Sequence, residues 1–174
     1  MKATTLLKEE HEIIGRALRL LDALALRAAS GQEVPRAAID SVLDFLSEFA
    51  DAHHHGKEEG ILFPAMEEAG FPHDGGPVGV MLHEHQQGRA LIAALREAAH
   101  PPDAVFAQAA RAYAGLLRQH IEKENHILFR LADQAIDGPA QQRVDEAVAR
   151  FEAQAGTRRA KHEAVIKRLE AELA

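Results

Sequence analysis

His54-His55-Gly56-Lys57-Glu58-Glu59-Gly60-Ile61-Leu62-Phe63 returns 66 residues later as His120-Ile121-Glu122-Lys123-Glu124-Asn125-His126-Ile127-Leu128-Phe129. His, Lys, Glu, Ile, Leu and Phe fall at the same places in both stretches. Neither stretch shows sustained strand alternation. The surrounding sequence is rich in Ala, Leu, Glu, Arg and Gln and poor in β-branched residues, which favours helix. A fainter echo links Glu10-His11 to Glu84-His85, each followed, one residue out of step, by Gly-Arg-Ala-Leu at 15–18 and 88–91. The chain therefore reads as a duplicated helical hairpin, each half offering one His and then a His-x-x-x-Glu.

Working outward, turn-forming residues at Ser30-Gly31, Gly70 to Pro77, His100-Pro101-Pro102 and Asp137-Gly138-Pro139 punctuate the sequence. They leave helices at roughly 3–29, 35–69, 77–99 and 103–135, with a fifth segment at roughly 139–172 that breaks near Gly156. Thr4 or Thr5 is the expected first N-cap, Pro35 falls near N1, Asp103 caps the fourth helix, and Gly31 follows the first. Pro64 should bend or interrupt the second helix at Phe63. Long helices with short links predict an all-α, antiparallel up-down four-helix bundle over residues 1–136, with residues 137–174 as a helical extension packed on it.

Residues four apart share a helix face, so His54 projects with Glu58 and His120 with Glu124. Along the fourth helix Phe106, Ala109, Tyr113, Leu116, His120, Glu124, Ile127 and Leu131 form one stripe, with the polar pair in its middle. The second helix gives Leu43, Ser47, Ala50, His54, Glu58, Ile61 and Ala65. The first gives Leu7, His11, Ile14, Leu18 and Ala25, and the third Val78, Met81, His85, Gly88, Ile92 and Ala99. Buried carboxylates and imidazoles need partners. Four inner-face histidines and two repeat-related glutamates are hard to explain by packing alone, and facing helices of a bundle are where dinuclear carboxylate sites are built.

The other histidines sort by position. The stripe through His55 reads Asp44, Glu48, Asp51, His55 and Glu59, a wetter face than that of His54. His83 points roughly 160° from His85 around the helix, toward solvent, and His126 is off the stripe. His162 lies with Val165, Ile166, Leu169 and Leu173 as a packed, hydrogen-bonded residue, while His73 and His100 fall in loops.

Composition narrows the chemistry. The 174 residues hold 11 His and no Cys, which leaves out disulfides, thiolate metal sites and cysteine nucleophiles. A net charge of −7 with no basic stripe argues against nucleic acid. No apolar run is long enough for a membrane, and no signal-peptide core follows the polar N-terminus, so a cytoplasmic location is expected. Six mixed nitrogen and oxygen donors suit iron best, manganese next and zinc third. Two octahedral ions have about twelve positions; two bridging Glu, one solvent bridge and four His leave about two, or about one if a fifth His binds. Room should remain for a small ligand.

The set His11, His54-x-x-x-Glu58, His85 and His120-x-x-x-Glu124 resembles the hemerythrin-like, or HHE cation-binding, family. His55 to Pro64 and Met81 to Arg89 look like its bacterial members, and the resemblance spans about residues 4–135. It implies an up-down bundle around a non-heme di-iron centre, bridged by two carboxylates and an oxo or hydroxo group, with histidines at the ends. Oxygen-binding members take two histidines from the third helix, spaced His-x-x-x-His. Here Met81 and Arg89 stand four residues either side of His85, so one terminal ligand is missing or relocated. His55 is the first candidate for it, His162 the second and His83 the third. Tyr113 is a core residue or a donor near the metal.

The resemblance leaves three readings open. One is a module that holds oxygen or nitric oxide, the second an enzyme that removes peroxide or nitric oxide, and the third an iron store or stress protein without turnover. A homodimer or a protein partner, acting through the fifth segment, stays open as well.

Overall fold

The computed structural model describes residues 1–173; residue 174, the last of the expected extension, lies outside the described residues. Six helices follow one another: α1 (Ala3–Ala29), α2 (36–68), α3 (Gly76–Glu97), α4 (104–135), α5 (Gly138–Ala155) and α6 (Arg158–Glu172). No strand occurs among the described residues. α1 lies against α4 and α2, and α3 against α4 and α2, which closes a four-helix ring. α5 packs on α1 and the 58–62 part of α2, and α6 packs on α1 and α2. No described helix is long and apolar enough to cross a membrane.

Most helix ends follow local chemistry. Asp103 accepts hydrogen bonds from the amides of Val105 (2.7 Å) and Phe106 (3.4 Å), capping α4. After α1, Gly31 takes φ +65°, and the amides of Gly31 and Gln32 return to the carbonyls of Ala28 and Arg27. Gly156 takes φ +61° at the break between α5 and α6. The cap of α1 differs from expectation: the helix begins at Ala3, so its N-cap position is Lys2, two or three residues before Thr4 or Thr5, and no side chain caps it. Thr4 is inside the helix and donates its hydroxyl to Asp133 on α4 (2.9 Å), a tertiary partner that replaces the local cap.

Pro64 does not interrupt α2, which continues through it. The turn before it is π-helical over Glu58–Leu62, with the Phe63 amide bonded to the Glu58 carbonyl. The equivalent turn in α4, Glu124–Leu128, has the Phe129 amide on the Glu124 carbonyl. A third π-helical stretch covers Leu46–His55, ending with the Gly56 amide on the Asp51 carbonyl. Each i→i+5 turn advances the buried face by a residue relative to an α-helix. Hence Leu62, Met66, Leu128 and Ala132 are buried, where the regular stripes pointed to Ile61, Ala65, Ile127 and Leu131.

The core is in two parts. One apolar cluster joins Ile13 to Ala28 of α1 with residues 38–50, 92–99 and 106–117, capped by Ile166 and Leu169 of α6. The other joins Ala3, Leu6 and Leu7 with residues 62–66, 78–81 and 128–136, capped by Val144 and Val148 of α5. Between them lies a layer of buried polar side chains: Glu10, His11, His53, His54, His55, Lys57, Glu58, His85, His120 and Glu124.

The register shift has a direct test. Leu128 is 2% exposed and Ile127 54%. Leu128→Ala should cost about 2–5 kcal/mol in urea denaturation, and Ile127→Ala no more than about 0.5 kcal/mol. The reverse order would restore the uninterrupted α-helical register.

Candidate metal centre

Each helix of the ring carries donors into the polar layer. α1 gives His11, α2 gives His54, His55 and Glu58, α3 gives His85, and α4 gives His120 and Glu124. They form two pockets. His11, His54, Glu58 and Glu124 each offer an atom within 4.8 Å of the others, and so do His55, His85, His120 and Glu58. Glu58 directs Oε1 to His54 Nε2 and Oε2 to His85 Nε2, both at 3.5 Å. Glu124 directs Oε2 to His11 Nε2 and Oε1 to His120 Nε2, both at 3.2 Å. Each carboxylate thus turns one oxygen to each pocket.

The imidazoles are oriented from behind. Nδ1 of His54 meets Glu10 Oε2 (2.8 Å), Nδ1 of His85 meets Glu59 Oε1 (2.7 Å), and Nδ1 of His120 meets Glu84 Oε2 (2.9 Å). His55 Nδ1 meets Asp51 Oδ1 (3.3 Å), and His11 Nδ1 meets the amide oxygen of Asn125 (2.8 Å). A carboxylate or amide oxygen only accepts, so these rings donate from Nδ1 and turn an Nε2 that could ligate a cation inward. Phe63 and Phe129 back the site from one side, stacked on His85 (5.8 Å) and His11 (5.5 Å). These are the duplicated phenylalanines that end the two π-helical turns.

The outer contacts are duplicated too. Lys57 donates to Glu10 and Lys123 to Glu84, so Lys–Glu–His runs once behind His54 and once behind His120. The copies diverge at the fifth histidine. His55 stacks on His85 (3.8 Å). Arg89, four residues after His85, bonds Asp51 (2.8 Å) and Glu59 (2.7 Å), the carboxylates that hold His55 and His85. His55 is buried rather than on a wet face, because Asp51 and Arg89 form the polar rim outside it. His162 packs at the edges of Phe45 and Phe49 and pairs with Glu48, and His83 is exposed; neither joins a pocket. Tyr113 is buried and lines a small cavity of about 10 Å³ with Asp51, His55, His85, Gly88 and Arg89.

These donors fit a cation. All four oxygens of Glu58 and Glu124 are buried and have no hydrogen-bond partner, a costly state for two facing carboxylates. Nε2 atoms also face in pairs, His11 to His54 at 2.9 Å and His85 to His120 at 3.1 Å. Two Nδ1-protonated imidazoles meeting there need a proton or a metal ion between them. Burial and the neighbouring Glu124 push the Glu58 carboxyl well above its ordinary range. Burial pulls His54 down to about 4 and also lowers His55 and His85. Burial acts against the charge on His120 as well, but Glu124 and Glu84 outweigh it and raise the ring to about 9.

The hemerythrin HHE cation binding domain matches residues 2–132. The chain belongs to this family. Membership in the HHE family implies non-heme iron, and the pockets supply His and Glu donors for it. The chain is 34% identical over 96 residues to the iron-sulfur cluster repair protein YtfE of Edwardsiella ictaluri, covering 50% of this chain and 43% of that protein. It is 35% identical over 85 residues to the iron-sulfur cluster repair protein DnrN of Neisseria gonorrhoeae, covering 44% and 54%. It is 28% identical over 130 residues to the uncharacterized protein Rv1995 of Mycobacterium tuberculosis, covering 71% and 50%. The chain thus spans about half the length of these curated relatives. No solved structure matches it.

Sequence reading did not reach the residues behind the HHE donors: Glu10, Asp51, Glu59, Glu84, Arg89 and Asn125. A signal existed for some of them. Glu10 and Glu84 precede the paired histidines of the fainter repeat, and Lys57 and Lys123 coincide in the stronger one.

Metal uptake should compete with protons. The raised His120 value stabilises the metal-free fold below its ordinary value near 6.5, and this contribution is lost as pH rises through about 9. A metal at Nε2 displaces that proton. Apparent Fe²⁺ affinity should therefore rise up to about pH 9, about tenfold per pH unit for each proton displaced. Chelator competition across that range measures it, and a flat profile counts against proton displacement at His120.

Proposed function

We propose that the chain is a non-heme di-iron protein that binds or reacts with oxygen, nitric oxide or peroxide in the bundle core. One iron would be held by His11 and His54, the other by His55, His85 and His120, with Glu58 and Glu124 bridging. The observation that carries this reading is the division of each glutamate, one oxygen to each pocket. Iron ranks ahead of manganese and zinc for a sulfur-free His and carboxylate set.

The two pockets are unequal. The two-histidine pocket has four protein donors and the three-histidine pocket five. An octahedral ion has six positions, so the two-histidine side has more room for an added ligand. Iron there supplies redox chemistry toward small oxygen and nitrogen ligands. Glu10 and Asn125 hold His54 and His11 on their axes, and Phe129 covers His11. The apolar clusters on either side of the layer keep bulk water out and favour a small neutral ligand over a large anion.

A second reading is iron supply during repair of iron–sulfur clusters, which the names of the YtfE and DnrN relatives favour. Retention of iron separates the two. A ligand-binding centre keeps its iron against a mild chelator, whereas a donor transfers it to an apo acceptor.

Protein made in iron-replete cells should carry two irons per chain. Glu58→Ala should bring this below two and lower the thermal midpoint, because bound metal stabilises only the folded state. Iron content by plasma emission checks the first and calorimetry the second; unchanged content in the variant would remove the bridge. Azide should perturb the diferric visible spectrum. His55→Ala should change iron content or that perturbation, and identical values for both would place His55 outside the ligand set.

A further inference from the structure

The matched domain ends at residue 132, and α5 lies beyond it. One carboxylate of α5 nevertheless enters the polar layer. Lys57 is 0% exposed, and its ammonium donates to Glu10 Oε1 and Glu152 Oε1 and contacts His53 Nε2 at 3.1 Å. Glu10 uses its other oxygen for His54 Nδ1. A continuous chain, Glu152–Lys57–Glu10–His54, thus runs from α5 to the two-histidine pocket. Glu152 itself is 26% exposed and borders an open groove with Asp145, Glu146 and Ala149.

The internal duplicate shows what Glu152 adds. Behind His120, Glu84 and Lys123 make the same two links, but Lys123 is 38% exposed and receives no third group of this kind. A fully buried ammonium needs its charge balanced. With Glu152 present, Lys57 is shared between two carboxylates, which leaves Glu10 free to accept strongly from His54. Without it, Lys57 would have Glu10 as its one carboxylate partner, beside His53. Such outer partners orient a ligating ring and raise its basicity.

The same contact matters to α5. The helix buries only Val144 and Val148 fully, adds Phe151 at the edge of His53 (5.4 Å), and takes the Ala3 amide on Asp145 (2.8 Å). With so small an apolar face, the Lys57–Glu152 pair is a main anchor. We propose that Glu152 is a positioning residue through which α5 holds His54 for metal, so that docking of α5 and loading of the two-histidine pocket reinforce each other. Linkage makes this reciprocal. The inference rests on the di-iron reading above.

The test uses the full metal-free chain, titrated anaerobically with Fe²⁺, and hydrogen exchange at the amides of α5. In the wild-type protein, loading should slow exchange in α5. Glu152→Gln should bind the first equivalent as wild type and the second about tenfold or more weakly, and loading should protect α5 less. Glu152→Asp, which keeps the charge on a shorter arm, should fall between them. Glu146→Gln removes the same charge from the same groove without touching Lys57 and should match wild type. If Glu152→Gln and Glu152→Asp bind both equivalents like wild type, or Glu146→Gln reproduces the loss, the inference is overturned alone. If the wild-type chain takes up fewer than two ions, the di-iron reading falls and takes this inference with it.

Discussion

Two carboxylates that cannot both be ionised unaided stand at the centre of this molecule. Glu58 and Glu124 face each other with no hydrogen bond to any of their oxygens. Burial and the neighbouring Glu124 push the Glu58 carboxyl well above its ordinary range, whereas for Glu124 burial is outweighed by His120 and His11, which hold it well below, so the pair favours one charge rather than two. Much of the surrounding structure answers this constraint. Four imidazole Nε2 atoms point at the pair, and each ring is held by an acceptor at its back. The next residues outward, Lys57, Lys123 and Arg89, balance those acceptors. Charge therefore alternates in shells from the centre to the surface.

The duplication explains why so ordered an arrangement arises from a short motif. His, Lys, Glu and Phe of the repeat each have one place, filled twice: an imidazole facing a pocket, support of the orienting Glu, a carboxylate turned to both pockets, and backing of an imidazole. The two copies are not equal, however. Asn125 replaces Glu59, Ile121 replaces His55, and only the first copy receives a carboxylate from α5. Asymmetry between the two pockets is thus written in a few substitutions on a symmetric frame.

The helices, their order and the inward residues were legible in the sequence, because helical period and repeat spacing are local signals. The α1 and α3 stripes are buried as read: Leu7, His11, Ile14 and Leu18, and Val78, Met81, His85 and Ile92. In α2 and α4 the reading slipped by one residue beyond Glu58 and Glu124. A π-helical turn changes the period, and no residue type in Glu58–Leu62 or Glu124–Leu128 announces it. His55 illustrates another limit. Its own stripe is acidic, and only the fold shows that Asp51 and Arg89 convert that acidity into a support. Glu152 was out of reach for a simpler reason, since its partner is 95 residues away.

The split core has a consequence for how the chain comes apart. The polar layer leaves the apolar clusters at either end in separate groups, the first tied to α6 and the second to α5. Each resembles a short bundle with its own lid. In such an arrangement ions held in the layer would act as a weld between two cooperative units. With that weld in place the halves would melt together. Without it, the end built on Leu6, Phe63 and Phe129, which is the smaller of the two, would be free to open on its own, exposing the polar layer from that side.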